Sequence, residues 1–385
     1  MVTVPLFQAR IDQTAIAAAE EAMRSGWIGM GPRVAAFEAA FARYLGLDAD
    51  GSRQCVATNS CTSALDLALR LHNFERGSEV ITTPMTFIAT NQTLLWQGLK
   101  PVFADVDPYT GLLSPESVEL CLTDKTCALM VVHLGGRAAA MDKFAAIAGR
   151  HKLVIIEDCA HAAGAYYGDP GTSGRVGSSG NLCGFSFSPT KPLTTGDGGL
   201  LAGLAAAQLD IARKLRVLGM SKDIFRRVGD SAAPERFWDY DVEFAGARIH
   251  MNDITASLGL AHLPQLDAAN ARRTELAARY DEQLANVPGI RIVPSNPGDS
   301  HYLHWVLAEN RDALARALYD RGITTGVYYR PNSQYAPFAQ CTGPQGRREW
   351  PNAVAFFQRQ LCLPVFPSMT AQQQDHVIAS IRQGW

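Results

Sequence analysis

Apolar and polar residues follow one another in blocks that predict a β-α-β-α order over the first half of the chain. Short, almost wholly apolar runs such as QCVAT, TCALMVVH and LVIIED predict buried strands, and amphipathic segments between them predict helices. Apolar runs without polar alternation are typical of a parallel sheet that is covered on both faces. We therefore predict an α/β fold with a mostly parallel central sheet covered by helices.

Further elements are predicted along the rest of the chain. The other predicted strands are EVITTP, KPVFADV, GFSFS, GGLLAG, HWVLAEN and ITTGVYY. Helices are predicted at 12–25, 33–46, 61–73, 86–97, 114–122, 141–151, 159–164, 203–218, 252–287 with a break near Pro264, 311–322, 351–360 and 370–382.

Segment 219–247 mixes Gly, Asp, Pro and aromatic residues and predicts no regular structure. We place a domain boundary near residues 235–250 for this reason. The prediction is a large domain over 1–240 and a smaller C-terminal α+β domain over 241–385.

Composition narrows the class of protein. The chain has 385 residues, 47% of them hydrophobic, and a net charge of −2, which is typical of a globular enzyme and offers no basic surface for nucleic acid. No apolar run is long enough to cross a membrane and no secretory signal is visible, so we expect a cytoplasmic protein. The eight cysteines form no CxxC pair and no zinc-type spacing, so we expect no metal site.

The segment FSFSPTKPLTTGDGG (185–199) places Lys191 between a β-like run and a glycine-rich turn. A lysine at the ligand-binding edge of a sheet becomes a Schiff-base nucleophile when desolvation lowers its pKa. Taken alone, however, Lys191 fits a solvated loop lysine better.

The segment LVIIEDCAHAAGA (153–165) places Asp158 at the carboxyl end of an apolar strand. Pyridoxal phosphate needs such a carboxylate beside its pyridine nitrogen, because the protonated ring is the better electron sink. Asp158 is equally suited to capping a following helix. His161 fits either a contact to the ring's 3-oxygen or simple packing.

Two further segments complete a possible cofactor site. In ATNSCTSALDLALRL (57–71), a small polar run at a helix start could bind a phosphate through free backbone N–H groups, although an ordinary N-cap explains it as well. Phe87, at a strand-to-helix junction, could stack on a cofactor ring or belong to the core. Each feature is weak alone, but together they supply every group that a pyridoxal phosphate site requires.

Taken as a whole, the sequence resembles the nucleotide-sugar aminotransferases of the DegT/DnrJ/StrS type, which are fold-type I enzymes dependent on pyridoxal phosphate. The resemblance covers nearly the whole chain. The blocks that carry it, in the family's order, are SGWIGMGPRVAAFEAAFARYLG, NSCTSALDLAL, PMTFIAT, PVFADVD, VVHLGGRAAAMD, IIEDCAHAAGA and GFSFSPTKPLTTGDGG.

The resemblance implies a role for each matching residue. Lys191 corresponds to the Schiff-base lysine and Asp158 to the partner of the pyridine nitrogen. The other implied cofactor contacts are Phe87 and His161 at the ring, and Ser60, Cys61, Thr62 and Ser186 at the phosphate. The family usually has glycine at the position of Cys61.

The chain also departs from the family. Where many members have Gly-x-Asn-x-Arg-Met, it has GARIHM (246–251), which places Arg248 at the asparagine that normally reaches the neighbouring subunit's phosphate. Arg248 could bind that phosphate, or a substrate diphosphate or carboxylate. The loop VYYRPNSQYAPF (327–338) lacks the family's usual histidine, and Tyr329 and Arg330 are candidate substrate contacts.

The implied reaction is a ping-pong transfer of an amino group from an amino acid, L-glutamate by resemblance, to a keto group of a nucleotide-linked sugar. The implied assembly is a homodimer with shared active sites. Four alternatives stay open: a cyclic ketone such as an inosose as acceptor, a deoxysugar dehydratase, a catalytically silent sensor and a nicotinamide oxidoreductase. Lys191 favours transamination over dehydration, because the dehydratases of the family have histidine in place of this lysine. The oxidoreductase is disfavoured because no GxGxxG follows the early strands.

Overall fold

Seven strands form a central sheet in the computed structural model, which describes residues 3–47, 52–222 and 239–385. They are β1 (Arg53–Thr58), β2 (Glu79–Thr82), β3 (Lys100–Phe103), β4 (Thr126–Val132), β5 (Val154–Asp158), β6 (Leu182–Ser186) and β7 (Gly199–Ala205). Their order is β1-β7-β6-β5-β4-β2-β3, with β7 antiparallel to β1 and β6 and the other paired strands parallel. The mostly parallel sheet is as predicted.

Helices cover both faces of this sheet. They are α1 (Gln13–Arg24), α2 (Pro32–Leu45), α3 (Cys61–His72), α4 (Ile88–Trp96), α5 (Pro115–Glu119), α6 (Met141–His151) and α7 (Ala206–Leu215). Alternate residues of β5 face opposite sides, so Ile156 packs in the core with α3 and α7 whereas Ile155 packs with α6. Asp158 therefore points to the side of the sheet on which α3 lies.

A second, antiparallel sheet forms in the C-terminal part of the chain. Its strands are β8 (Ile290–Ile292), β9 (His304–Ala308) and β10 (Gln360–Leu363), in the order β10-β9-β8. The helices of this part are α8 (Asp253–His262), α9 (Leu266–Leu284), α10 (Arg311–Asp320), α11 (Pro351–Arg359) and α12 (Ala371–Arg382). One face of the sheet packs against α9, α10 and α12, and the other, through Trp305, packs against Met85 and Phe103 of the first half.

Several predicted elements take a different form. Residues 159–164 form turns rather than a helix, because the N–H groups of Ala162 and Ala165 donate to carbonyls three residues earlier and Gly164 leaves the helical region with a φ of 82°. Residues 323–329 form isolated bridges rather than a strand, because Ile323 pairs with Val4 and Gly326 with Cys362, on different neighbours.

Other boundaries are close to the prediction. The break near Pro264 is confirmed as a 3-10 turn between α8 and α9. Within 219–247, residues 223–238 lie outside the described part, and the remainder forms only isolated bridges. The domain boundary near 240 stays a prediction. None of the helices in the described part of the chain is long and apolar enough to cross a membrane.

Candidate active site

A cavity of about 370 Å³ lies at the carboxyl ends of β4, β5 and β6. This is the edge at which ligands bind in open α/β sheets. Nine of the eleven predicted site residues line this cavity: Ser60, Cys61, Thr62, Phe87, Asp158, His161, Ser186, Lys191 and Tyr329.

Lys191 projects into the cavity from the loop that follows β6. Its Nζ lies 3.4 Å from the hydroxyl of Tyr302 and 4.7 Å from the centre of that ring. Burial lowers the pKa of the amine to about 8, and the negative charge of Asp158 opposes that shift. Lys191 is therefore neutral far more often near physiological pH than an ordinary lysine, and the neutral amine is the nucleophile.

Asp158 is a buried carboxylate with defined partners. It accepts hydrogen bonds from the Thr90 hydroxyl at 2.7 Å and from the Ala160 backbone N–H at 3.0 Å. The Cys61 thiol lies 3.8 Å from Oδ1 of Asp158, the same oxygen that accepts from Ala160, whereas Thr90 donates to Oδ2. These partners fix the orientation of the carboxylate, so Asp158 can hold a cationic N–H group inside the cavity.

The first turn of α3 forms the opposite wall. Ser60 caps this helix, since its hydroxyl accepts a hydrogen bond from Ser63 N–H at 3.2 Å. The N–H groups of Cys61 and Thr62 have no partner within the helix, as at every helix start. Glycine allows this turn to lie directly on β7, because a Cβ at Gly199 would be 2.2 Å from the backbone carbon of Ser60. The turn can thus bind a phosphate.

His161 is held in one tautomer by its neighbours. The Gly135 backbone N–H donates to His161 Nδ1 at 3.1 Å, so in the neutral ring the proton is on Nε2. Nε2–H then donates to the hydroxyl oxygen of Tyr329 at 3.1 Å. Burial, with a smaller effect from the charge of Lys191, holds the pKa of His161 well below its usual value, so the ring stays neutral. The hydroxyl hydrogen of Tyr329 is left free to donate into the cavity.

Phe87 supplies an aromatic surface at the mouth of the cavity. It precedes α4 and is 55% exposed although it is a large apolar side chain. Its ring lies 5.9 Å from that of Tyr329. An amine, a carboxylate, a helix start and an aromatic face thus surround one cavity, and this set fits the groups of pyridoxal phosphate.

Residues 9–382 match the DegT/DnrJ/EryC1/StrS aminotransferase family. The chain belongs to this family. It is accordingly an aminotransferase dependent on pyridoxal phosphate, as the resemblance implied.

Individual proteins are similar to this chain over most or all of their lengths. The spore coat polysaccharide biosynthesis protein SpsC of Bacillus subtilis is 36% identical over 94% of this chain and 92% of its own. The crystal structure of AtS13 from Actinomadura melliaura has a TM-score of 0.88 at 35% identity, covering 100% of both chains. That of the sugar aminotransferase CalS13 from Micromonospora echinospora has a TM-score of 0.87 at 30% identity, covering 99% of this chain and 100% of its own.

Two of the predicted site residues do not line the active-site cavity of the single chain. Arg248 is exposed, on a segment whose Ile249 carbonyl accepts from Asn59 N–H at 2.7 Å. Arg330 is exposed and donates to Gln334. Their proposed contacts stay predictions.

Other residues of the cavity were missed by sequence reasoning. They are Thr86, Thr90, Ser188, Thr190, Tyr302 and Tyr328. Thr86 and Thr90 hydrogen-bond to each other at 2.9 Å, and their spacing of four at the start of a predicted helix was an available signal. Tyr302 gave no local signal, since it lies 111 residues from Lys191 in the chain.

Proposed function

We propose that this enzyme transfers an amino group from L-glutamate to a keto carbon of a nucleotide-linked sugar by a ping-pong mechanism. The observation that carries the proposal is the cavity that Lys191 and Asp158 share. It brings together an amine whose pKa is lowered to about 8 and a buried carboxylate. The sugar acceptor is supported by the similarity to CalS13, a sugar aminotransferase, and to SpsC, a protein of polysaccharide biosynthesis.

Each part of the cavity has a place in this proposal. Pyridoxal phosphate, when bound, supplies an electron sink for the charge that develops at the substrate carbon. Lys191 would hold it covalently, and Asp158 would face its ring nitrogen. Phe87 would lie on the ring face and His161 at the 3-oxygen. Its phosphate would be held by Ser60, Cys61, Thr62 and Ser186.

Lys191 also has the properties of the proton carrier. Its Nζ, with a pKa of about 8, can accept a proton from the substrate carbon and return it in the second half-reaction. The hydroxyl of Tyr302, 3.4 Å away, orients Nζ. Because the ring of His161 is neutral, it adds no positive charge that would compete with the cofactor's ring nitrogen for Asp158.

The acceptor would meet residues at the open side of the cavity. The free hydroxyl hydrogen of Tyr329 can donate to a sugar oxygen, and Arg330 lies next to it in the chain. We also propose a homodimer in which Arg248 reaches the neighbouring subunit's site and binds the cofactor phosphate, or a diphosphate or carboxylate of the substrate.

The role of Lys191 is tested with the Lys191→Ala variant. We expect it to lose the visible absorbance of the Schiff base between the cofactor and Lys191, and all turnover with glutamate. Lys143→Ala removes an exposed lysine that pairs with Glu116, and should retain both. Retention of absorbance and turnover in Lys191→Ala would overturn the assignment.

The acceptor is tested with a panel of nucleotide-linked 3-keto and 4-keto sugars and an inosose, with glutamate as donor and mass analysis of the amines. We expect amination of a nucleotide-linked sugar. Amination of the inosose alone would favour the cyclic-ketone alternative, and loss of water without amination would favour a dehydratase. A spectrum that glutamate leaves unchanged would favour a silent sensor.

A further inference from the structure

A second, smaller cavity lies behind the loop that carries Lys191. It has a volume of about 60 Å³, enough for a few water molecules or a small organic anion. Loop 189–194, the N-terminal segment 7–10, the start of α9 and segment 365–367 enclose it. It shares Thr190, Lys191 and Tyr302 with the active-site cavity, so a ligand here would lie next to the catalytic loop.

Arg273 brings a buried positive charge to this cavity. The residue is 6% exposed, and its Nη1 donates a hydrogen bond to the side-chain oxygen of Asn270 at 2.8 Å. No ion pair joins it to a carboxylate among the described residues. Burial lowers the pKa of the guanidinium to about 10, and the small opposing effect comes from Tyr302 rather than from an acid. A buried charge without a counter-charge is costly, so a ligand of opposite sign would be stabilised here.

The remaining lining is positive or neutral. Arg10 and Lys191 also line the cavity, and its lining in the described part of the chain includes no aspartate or glutamate. His262 donates from Nδ1 to the Thr194 carbonyl at 2.8 Å, and its Nε2 has no partner among the described residues. Asp12, which accepts from Gln265, caps α1 and does not line the cavity.

We propose that this cavity binds a small carboxylate and that Arg273 is its charged partner. Asn270 occupies Nη1, so the Nε and Nη2 edge of the guanidinium is available for the paired hydrogen bonds that carboxylates form with arginine. The carboxylate can be a free monocarboxylate, or it can belong to the amino donor or its keto acid. The latter source rests on the proposed function.

Thermal unfolding of the full-length holoenzyme tests the site. Acetate represents a free monocarboxylate, and glutarate has the carboxylates of glutamate without its amine. Each is titrated against chloride at constant ionic strength. We expect acetate or glutarate to raise the melting temperature by more than chloride does at the same ionic strength. In Arg273→Gln, the carboxylate concentration that gives half of the maximal rise in melting temperature should be at least about tenfold higher. Such a change corresponds to the loss of a charge-assisted pair of hydrogen bonds.

Arg272→Gln is the matched control, since Arg272 is the adjacent residue of α9 but is more exposed and pairs with Glu275. It should keep the response of the natural protein. Without carboxylate, Arg273→Gln should be at least as stable as the natural protein, because it removes an unpaired buried charge. If Arg273→Gln does not fold, Arg273→Lys provides the test and should show a weakened response, because it keeps the charge and loses the paired geometry.

The outcomes separate the sources. A rise with acetate supports a site for free monocarboxylates, and a rise with glutarate alone supports the donor. No rise in the natural protein, or an undiminished rise in the Arg273 variants, would overturn the site. Because unfolding rather than turnover is measured, that result would leave the proposed amino transfer untouched.

Discussion

The amine of Lys191 is subject to two opposing effects. Removal from water disfavours its charged form, whereas the carboxylate of Asp158 favours it. The first effect is larger, which is why the pKa falls to about 8 rather than rising. The same carboxylate that would serve the cofactor ring thus also limits how far the lysine is activated.

Substitution of Asp158 by asparagine should lower the pKa of Lys191 further below 8. Asparagine keeps the shape but removes the negative charge that stabilises the ammonium form. The measurement is the pH dependence of Lys191 acetylation in protein freed of cofactor, followed by peptide mass analysis. Exposed Lys143 in the same digest is the internal control. An unchanged or higher midpoint for Lys191 in Asp158→Asn would contradict this account.

At the scale of elements, the contact between α3 and β7 sets the shape of the phosphate-binding turn. A Cβ at Gly199 would lie 2.4 Å from the Cys61 nitrogen and 2.2 Å from the Ser60 carbon, both of which are backbone atoms. Backbone cannot rotate away as a side chain can. The close approach therefore depends on the absence of a side chain at this position of β7.

We expect Gly199→Ala to displace the first turn of α3. It should lower the free energy of unfolding by about 1–3 kcal/mol, as overpacking of a core does, and weaken cofactor binding. Urea unfolding and equilibrium dialysis of the cofactor measure the two effects. Gly149→Ala is the control, because Gly149 lies in α6 with open space around it and should gain up to about 1 kcal/mol of helix propensity. Equal stability of the two variants would show that the contact is not tight.

The strand ends and the residues on them could be predicted from sequence because their signals are local. Asp158 follows an apolar run, and Ser60 precedes an amphipathic one, so each marks its own junction. Tyr302 could not be predicted, since only the packing of distant segments brings it to Lys191. Strand β10 was missed because its four residues directly follow α11 without a turn signal.

At the scale of the whole molecule, the two sheets are joined beside the active site. The N–H groups of Ser300 and Leu303 donate to the carbonyls of Gly136 and Gly135 at 2.9 and 3.1 Å. Tyr302 lies between these two anchors, two residues before the start of β9. The same turn that orients His161 through Gly135 N–H therefore also holds Tyr302, so the C-terminal sheet and the cavity are positioned together.

The position of Arg248 requires a second chain if it is to act at the active site. The residue is exposed and does not line the cavity of its own chain. We therefore expect a dimer in light scattering, in which each site combines Lys191 of one chain with Arg248 of the other. Arg248→Glu should lose activity, because a negative charge would then face the bound anion.

Mixing Arg248→Glu with Lys191→Ala tests this arrangement directly. In a mixed dimer, one site carries both defects and the other carries neither, so two inactive proteins should restore activity. Random exchange makes half of the dimers mixed with one intact site each, which gives about a quarter of the natural activity. The double variant mixed with the natural protein, matched for total chains, is the control for exchange. If Arg248 acts within its own chain, every site of the mixture keeps one defect and no activity returns.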